Sequence, residues 1–259
     1  MNVSLIRFNT EMKTFLQNFL GLFGLQITRK NNAKPMPIYK NEAMAKGIER
    51  FRKHYLDINT IFDVGAAEGK WSLDALNFYP NSNYLLFEPL VERAGMLNNL
   101  CVEQSNFQFV PKAAGNAKSS IKFKVTEDLD GSGIANEAEI SNDNFREVQI
   151  SRLDEEVRVR NLSGPYIIKL DTHGFEIPIL EGCESILSDV KLFIIECYGF
   201  NLTEDSLLFW QMCKYMDDKG FRLLDIVDIM RRSKDNAFWQ CDAFFIPSNN
   251  KIFKSNRYL

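Results

Sequence analysis

The chain has 259 residues, 45% hydrophobic and 25% charged, enough to bury the core of one large soluble domain with extensions. Its formal net charge of −3 argues against a nucleic-acid partner, since such binders need a basic excess to displace counterions. Five cysteines without a C-x-x-C pair read as free thiols in a reducing, cytoplasmic setting, and no apolar run reaches the roughly 18 residues of a spanning helix.

Residues 1–37 read as an amphipathic N-terminal helix and a linker. Met12, Phe15, Leu16, Phe19, Leu20 and Phe23 share one helical face, and the polar, proline-closed stretch 31–37 separates them from the rest. The face suits docking on the domain or on a second subunit. The alternative is peripheral attachment to a membrane, aided by Arg29, Lys30 and Lys34.

Residues 38–259 read as one domain. Apolar strands are expected over 61–64, 84–87, 107–110, 166–170 and 192–195, with helices over 70–79, 91–101 and 176–188. A further helix is expected from a Thr203 cap to Gly220, followed by strands over 221–227 and 241–246. Such alternation predicts an α/β, doubly wound and mostly parallel sheet with an antiparallel last strand. The segment 113–165 interrupts it. Two strand-like runs, 121–125 and 146–151, predict a β-hairpin insertion with no helix between them. Their acidic connection reads residue by residue as a solvated loop, and as a whole as a lid or substrate-binding insertion with Ser132 a candidate contact.

Ligands of open parallel sheets bind beyond the carboxyl ends of the strands. The first such loop runs Asp63-Val64-Gly65-Ala66-Ala67-Glu68-Gly69. It lacks the third glycine of a dinucleotide site, and Glu68 would repel a pyrophosphate. A cationic ligand, the sulfonium and ammonium of S-adenosyl-L-methionine, suits it better. Glu88 ends the second strand, where an acid can accept both ribose hydroxyls, and Ala113 beyond the third leaves room for adenine.

The loop with Lys70-Trp71-Ser72, then Phe87-Glu88-Pro89, Lys169-Leu170-Asp171-Thr172-His173-Gly174-Phe175-Glu176 and Ile179-Leu180-Glu181-Gly182-Cys183, resembles the FkbM family of S-adenosylmethionine-dependent methyltransferases. The resemblance covers about residues 58–247 and implies a Rossmann-like class I methyltransferase fold, S-adenosylmethionine as cofactor and O-methylation of a sugar or polyketide-type acceptor. It also implies that Asp63, Gly65, Ala67 and Gly69 form the methionine-side loop, with Ala66 and Glu68 in the same turn. Glu88 would hold the ribose, and Asp171 would lie near the transferring methyl. The chain departs from the family pattern at His173, often Glu or Gln there, and at Cys183, usually Ala.

A hydroxyl is a poor nucleophile and gains from a base. His173 suits that role near neutrality, with Asp171 orienting it or the methyl donor; hydrogen bonding within its turn is the competing role. No metal is expected, although Asp171, His173 and Glu196 offer an alternative divalent-cation set. Tyr198, Arg231 and Arg232 are candidate contacts for a small-molecule or glycan acceptor. The competing functions are a non-catalytic S-adenosylmethionine-binding scaffold and a nicotinamide-dependent oxidoreductase.

Overall fold

The computed structural model describes residues 42–134 and 145–258, all within the unit Tyr39–Leu259. β1 (Thr60–Val64) lies between β2 (Asn83–Phe87) and β8 (Tyr166–Leu170), parallel to both. β3 (Phe107–Val110) extends the sheet beyond β2, and β9 (Val190–Tyr198) extends it beyond β8. β11 (Phe238–Pro247) runs antiparallel to β9 and to the edge strand β10 (Phe221–Arg231). The order β10-β11-β9-β8-β1-β2-β3 is the Rossmann-like class I arrangement expected from the sequence. Its direction of winding reverses at β1, and the crevice at that switch point is where such sheets hold ligands.

The parallel strands β1, β2, β8 and β9 are covered on both faces and are mainly apolar rather than alternating, whereas the edge strand β10 carries Arg222, Asp225, Asp228 and Arg231. Phe62, Leu85, Ile168 and Phe193 point to one side, under Leu153 of α4 (Leu153–Arg160), Leu180 of α5 (Glu176–Glu181) and Met216 of α6 (Phe209–Asp218). Ile61, Leu86, Ile167 and Ile194 point to the other. There they meet Phe51 of α1 (Glu42–Arg52), Ala75 of α2 (Lys70–Leu76) and Leu97 of α3 (Val91–Glu103).

Two local expectations are corrected. The helix expected over 176–188 stops with α5 and resumes as a 3-10 turn, Glu184–Asp189. At Gly182 between them a Cβ would stand 2.0 Å from the Gly115 carbonyl oxygen, so this close backbone approach admits only glycine. Thr203 caps no helix. The amides of Leu202 and Thr203 bond Ser206 Oγ at 2.9 and 3.1 Å, which turns the chain before α6 begins at Phe209. α1 and α4 carried no expectation; α4 presents mostly charged residues, which hid its short buried edge at Leu153 and Glu156.

The hairpin insertion is present. β5 (Ser120–Lys124) pairs antiparallel with β7 (Phe145–Ser151) and with β6 (Gly133–Ile134), while β4 (Ala113–Ala114) joins β7 in parallel. Leu90, Phe123, Val148 and Ile150 give it a small core of its own. The expected N-terminal helix and the 135–144 part of the acidic connection lie outside the described residues. Among the described residues, no helix is long and apolar enough to cross a membrane.

Candidate active site

A cavity of about 270 Å³ lies at the carboxyl ends of β1, β2, β8 and β9, with the 129–133 stretch of the insertion forming another wall. After β1 the chain turns sharply. Gly65 has φ +79°, and a Cβ there would stand 2.0 Å from the Asp171 carbonyl oxygen, so no other residue fits without moving a strand end. Ala67 follows at φ 51°, a left-handed conformation that costs a non-glycine residue about 1 kcal/mol. That conformation turns its amide toward Glu88.

Glu88 is 5% exposed and accepts the Ala67 amide on Oε2 at 3.0 Å and the Leu90 amide on Oε1 at 2.9 Å. Burial raises its carboxyl above the ordinary range, against the lowering effect of the Leu90 amide, Arg93 and the Ala67 amide. Each carboxylate oxygen keeps a further lone pair for a ligand hydroxyl.

Asp63 is fully buried beneath the loop. Its Oδ2 accepts from Ser72 Oγ at 2.7 Å, while Oδ1 has no hydrogen-bond donor and lies 3.8 Å from Lys169 Nζ. Lys169 also pairs with Asp171 Oδ2 at 2.8 Å. Burial would discharge this lysine, but Asp171 and Asp63 outweigh it and raise its pKa. Burial would likewise raise Asp171, and the Lys169 ammonium outweighs it, holding that carboxyl below its ordinary range.

At the other end of the cavity His173 Nε2 lies 3.7 Å from Asp171 Oδ1 and 3.6 Å from Glu196 Oε2. His173 takes φ 54°, another left-handed non-glycine residue, and its Nδ1 reaches the Ser132 carbonyl at 3.4 Å. Glu196 accepts from the Tyr198 hydroxyl on Oε2 and from Gln240 Nε2 on Oε1. Burial first, and then the neighbouring Asp171 charge, push the Glu196 carboxyl up to about 9, so it carries its proton at neutral pH.

Of the residues expected from the sequence, Gly65, Ala67, Glu88, Ala113, Ser132, Asp171 and His173 line this one cavity. Several others do not. Asp63 supports the loop from below, and Ala66 is buried with its amide on the Phe87 carbonyl at 2.9 Å. Gly69 caps α2. Glu68 pairs with Lys70 outside the cavity, so the case against a pyrophosphate rests on Glu88 and Asp171 instead. Tyr198 is buried and does not line the cavity; it meets the site through Glu196 and through an edge-on contact with the His173 ring, 6.5 Å between centroids. Arg231 bonds the Asn236 carbonyl at 3.2 Å; Arg232 pairs with Asp235 and covers the Phe200 ring at 4.0 Å, so neither guanidinium faces the cavity. Arg93, Lys112, Asp130 and Thr172 line the cavity without having been singled out. Thr172 stands within the quoted motif and Asp130 within the acidic connection, while Arg93 lies in the first turn of α3, five positions after Glu88.

The residues present fit S-adenosylmethionine. Glu88 has lone pairs for a ribose, the Gly65–Asp171 contact leaves bare backbone at the cavity wall, and Glu88 and Asp171 give that wall an acidic bias suited to a cation. Asp171, His173 and Glu196 also place three ligand atoms within 4.8 Å of one another. Asp171 Oδ2 and both Glu196 oxygens, however, already take side-chain donors.

A profile described as the Methyltransferase FkbM domain matches residues 63–223. None of the curated proteins matches the chain. Similar solved structures include a precorrin-6y C5,15-methyltransferase from Geobacter metallireducens, at 14% identity over 85% of this chain and 90% of that one, with a TM-score of 0.43. A 1,6-didemethyltoxoflavin-N1-methyltransferase from Burkholderia thailandensis, with bound 1,6-didemethyltoxoflavin and S-adenosylhomocysteine, shares 10% over 95% and 93%, with a TM-score of 0.41. A SAM-dependent methyltransferase from Aquifex aeolicus shares 11% over 93% and 100%, at 0.42. At such scores the strand order, rather than these likenesses, carries the fold. The profile spans more than half of the chain, including the loop after β1, Glu88 and the Asp171–His173 turn, and the chain belongs to the FkbM family of S-adenosylmethionine-dependent methyltransferases.

Proposed function

We propose that the protein methylates a hydroxyl oxygen of a small-molecule acceptor, with a sugar, glycan or glycosylated metabolite as the acceptor class. The observation that carries this reading is His173, which lines the cavity with its Nε2 between Asp171 and Glu196 at 3.7 and 3.6 Å. Nitrogen acceptors with a free lone pair need no base; hydroxyls do. S-adenosylmethionine, when bound, supplies a methyl group made electrophilic by its sulfonium.

Glu88 would hold the ribose hydroxyls, and Gly65, Ala67 and Ala113 would supply the close wall. Asp171, kept ionised by Lys169, would face the positive end of the donor. The acceptor oxygen would meet His173 Nε2, which takes its proton as the C–O bond forms and later yields it to water. Glu196, already protonated, adds no second negative charge beside Asp171 and keeps the ring in place. Ser132, which lines the cavity beside His173, would contact the acceptor.

The test pairs activity with binding. In an acceptor screen beginning with sugars, His173→Gln should lose roughly 10²–10⁴ in kcat while its affinity for S-adenosylhomocysteine stays unchanged. Full turnover by His173→Gln would remove the base assignment. Exclusive methylation of amine acceptors would remove the hydroxyl reading. Binding of S-adenosylhomocysteine without turnover on any acceptor would favour a scaffold role.

A further inference from the structure

We propose that the 126–133 turn sets the tautomer of His173. Docking of Asp130 on Arg93 would bring the Ser132 carbonyl to His173 Nδ1 and leave Nε2 free to accept a proton. The inference rests on the reading of His173 as the base and deepens it.

The turn is internally braced. The Thr126 amide donates to Ser132 Oγ at 3.0 Å, Thr126 Oγ1 to Asp128 Oδ1 at 2.7 Å, and the Ser132 amide to the Leu129 carbonyl at 3.2 Å. Bonds of this kind make a short segment move as one piece. Two contacts tie that piece across the cavity: the Asp130 carboxylate on the Arg93 guanidinium, and the Ser132 carbonyl on His173. The Arg93 side chain is 8% exposed and that of Asp130 is 82% exposed, so the pair closes from the solvent side onto a fixed anchor.

The second contact decides the chemistry. A carbonyl oxygen can only accept, so its bond to Nδ1 requires the proton on that nitrogen. The Nε2 lone pair is then open to the cavity. Without the Ser132 carbonyl, the ionised Asp171 would draw the proton to Nε2, because its Oδ1 lies 3.7 Å from that atom. In that tautomer the ring has no lone pair toward the cavity. Leu129, Asp130, Ser132 and Gly133 border the cavity that Glu88 also lines, so a donor held by Glu88 would lie against the turn. Base competence is thereby coupled to a filled site from which water is excluded.

The chain contains two histidines, so ¹⁵N imidazole spectra are simple, and His54→Gln assigns them. Spectra would be taken at pH 8 with saturating S-adenosylhomocysteine. His173 should carry its proton on Nδ1 in the wild type and shift toward Nε2 in Asp130→Ala, with S-adenosylhomocysteine affinity falling several-fold. Asp130→Glu should restore both. A wild-type ring protonated on Nε2 overturns the proposal, and so does an unchanged tautomer in Asp130→Ala. Neither readout needs turnover, so failure here is distinct from failure of the base assignment, which His173→Gln kinetics decides.

Discussion

Lys169 Nζ and Asp171 Oδ2 form a 2.8 Å ion pair across the carboxyl end of β8, and the same ammonium lies 3.8 Å from the buried Asp63. One cation thus serves two carboxylates, one beneath the donor loop and one in the cavity. Removing one partner of a buried pair costs far more than the pair itself contributes, because the other charge is left without compensation.

Lys169→Met should therefore destabilise the fold by about 3–5 kcal/mol, read from the urea midpoint. The variant keeps the aliphatic length, so packing is largely spared. Lys169→Arg should recover most of the loss. A loss no larger than that of an exposed lysine would show that Asp63 and Asp171 are neutral in the folded protein.

Glu196 gives the stability a pH dependence. Its carboxyl rises from 4.5 to about 9 through burial and the nearby Asp171. Between those values the folded state binds more protons than the unfolded chain, so stability falls as pH rises. Asp242, paired in register with Glu196 and raised to about 7 by burial, acts in the same direction at lower pH. Urea midpoints should decline from pH 6 to pH 9, and Glu196→Gln should flatten the upper part of that decline. A midpoint that rises over this range would contradict the assignment.

Glu88→Gln should weaken S-adenosylhomocysteine binding about ten- to a hundredfold. The amide keeps one acceptor oxygen where the carboxylate offers two, so either Ala67 or Leu90 loses its partner. Calorimetry with S-adenosylhomocysteine and NAD would check this, with no NAD heat expected from either protein. An unaltered affinity would place the ribose elsewhere.

Chelation should leave turnover unchanged. The donors that Asp171 and Glu196 already have, the Lys169 ammonium and the neutral Tyr198 hydroxyl and Gln240 amide, compete with any cation for the same oxygens. Loss of activity in EDTA, restored by Mg²⁺ or Mn²⁺, would instead favour the Asp171–His173–Glu196 trio as a metal site.

The inner parallel strands of the main sheet, such as β1 and β8, were legible because each is a short apolar run, a consequence of burial on both faces. Helix limits were less legible. α6 begins at Phe209 rather than at Thr203 because Ser206 captures two amides, a bond between neighbours that no periodicity reports. In the site, Gly65, Ala67, Glu88 and Asp171 could be named from motif and position. Arg231 and Arg232 were misplaced because loop order says nothing about which way a long side chain turns; Asp235 and Phe200 hold Arg232 away.

The sequence by itself determined the alternation of elements, the acid after β2 and the small residues after β1, since each reflects a local steric or solvation demand. The tertiary structure decided which acids are charged and which histidine nitrogen faces the cavity. Those properties depend on groups far apart in the chain. Lys169 meets Asp63 across 106 positions, and Ser132 meets His173 across 41, only once the sheet and its insertion are folded together. A charge or a tautomer is set by what lies within a few ångströms, and that neighbourhood is created by the fold.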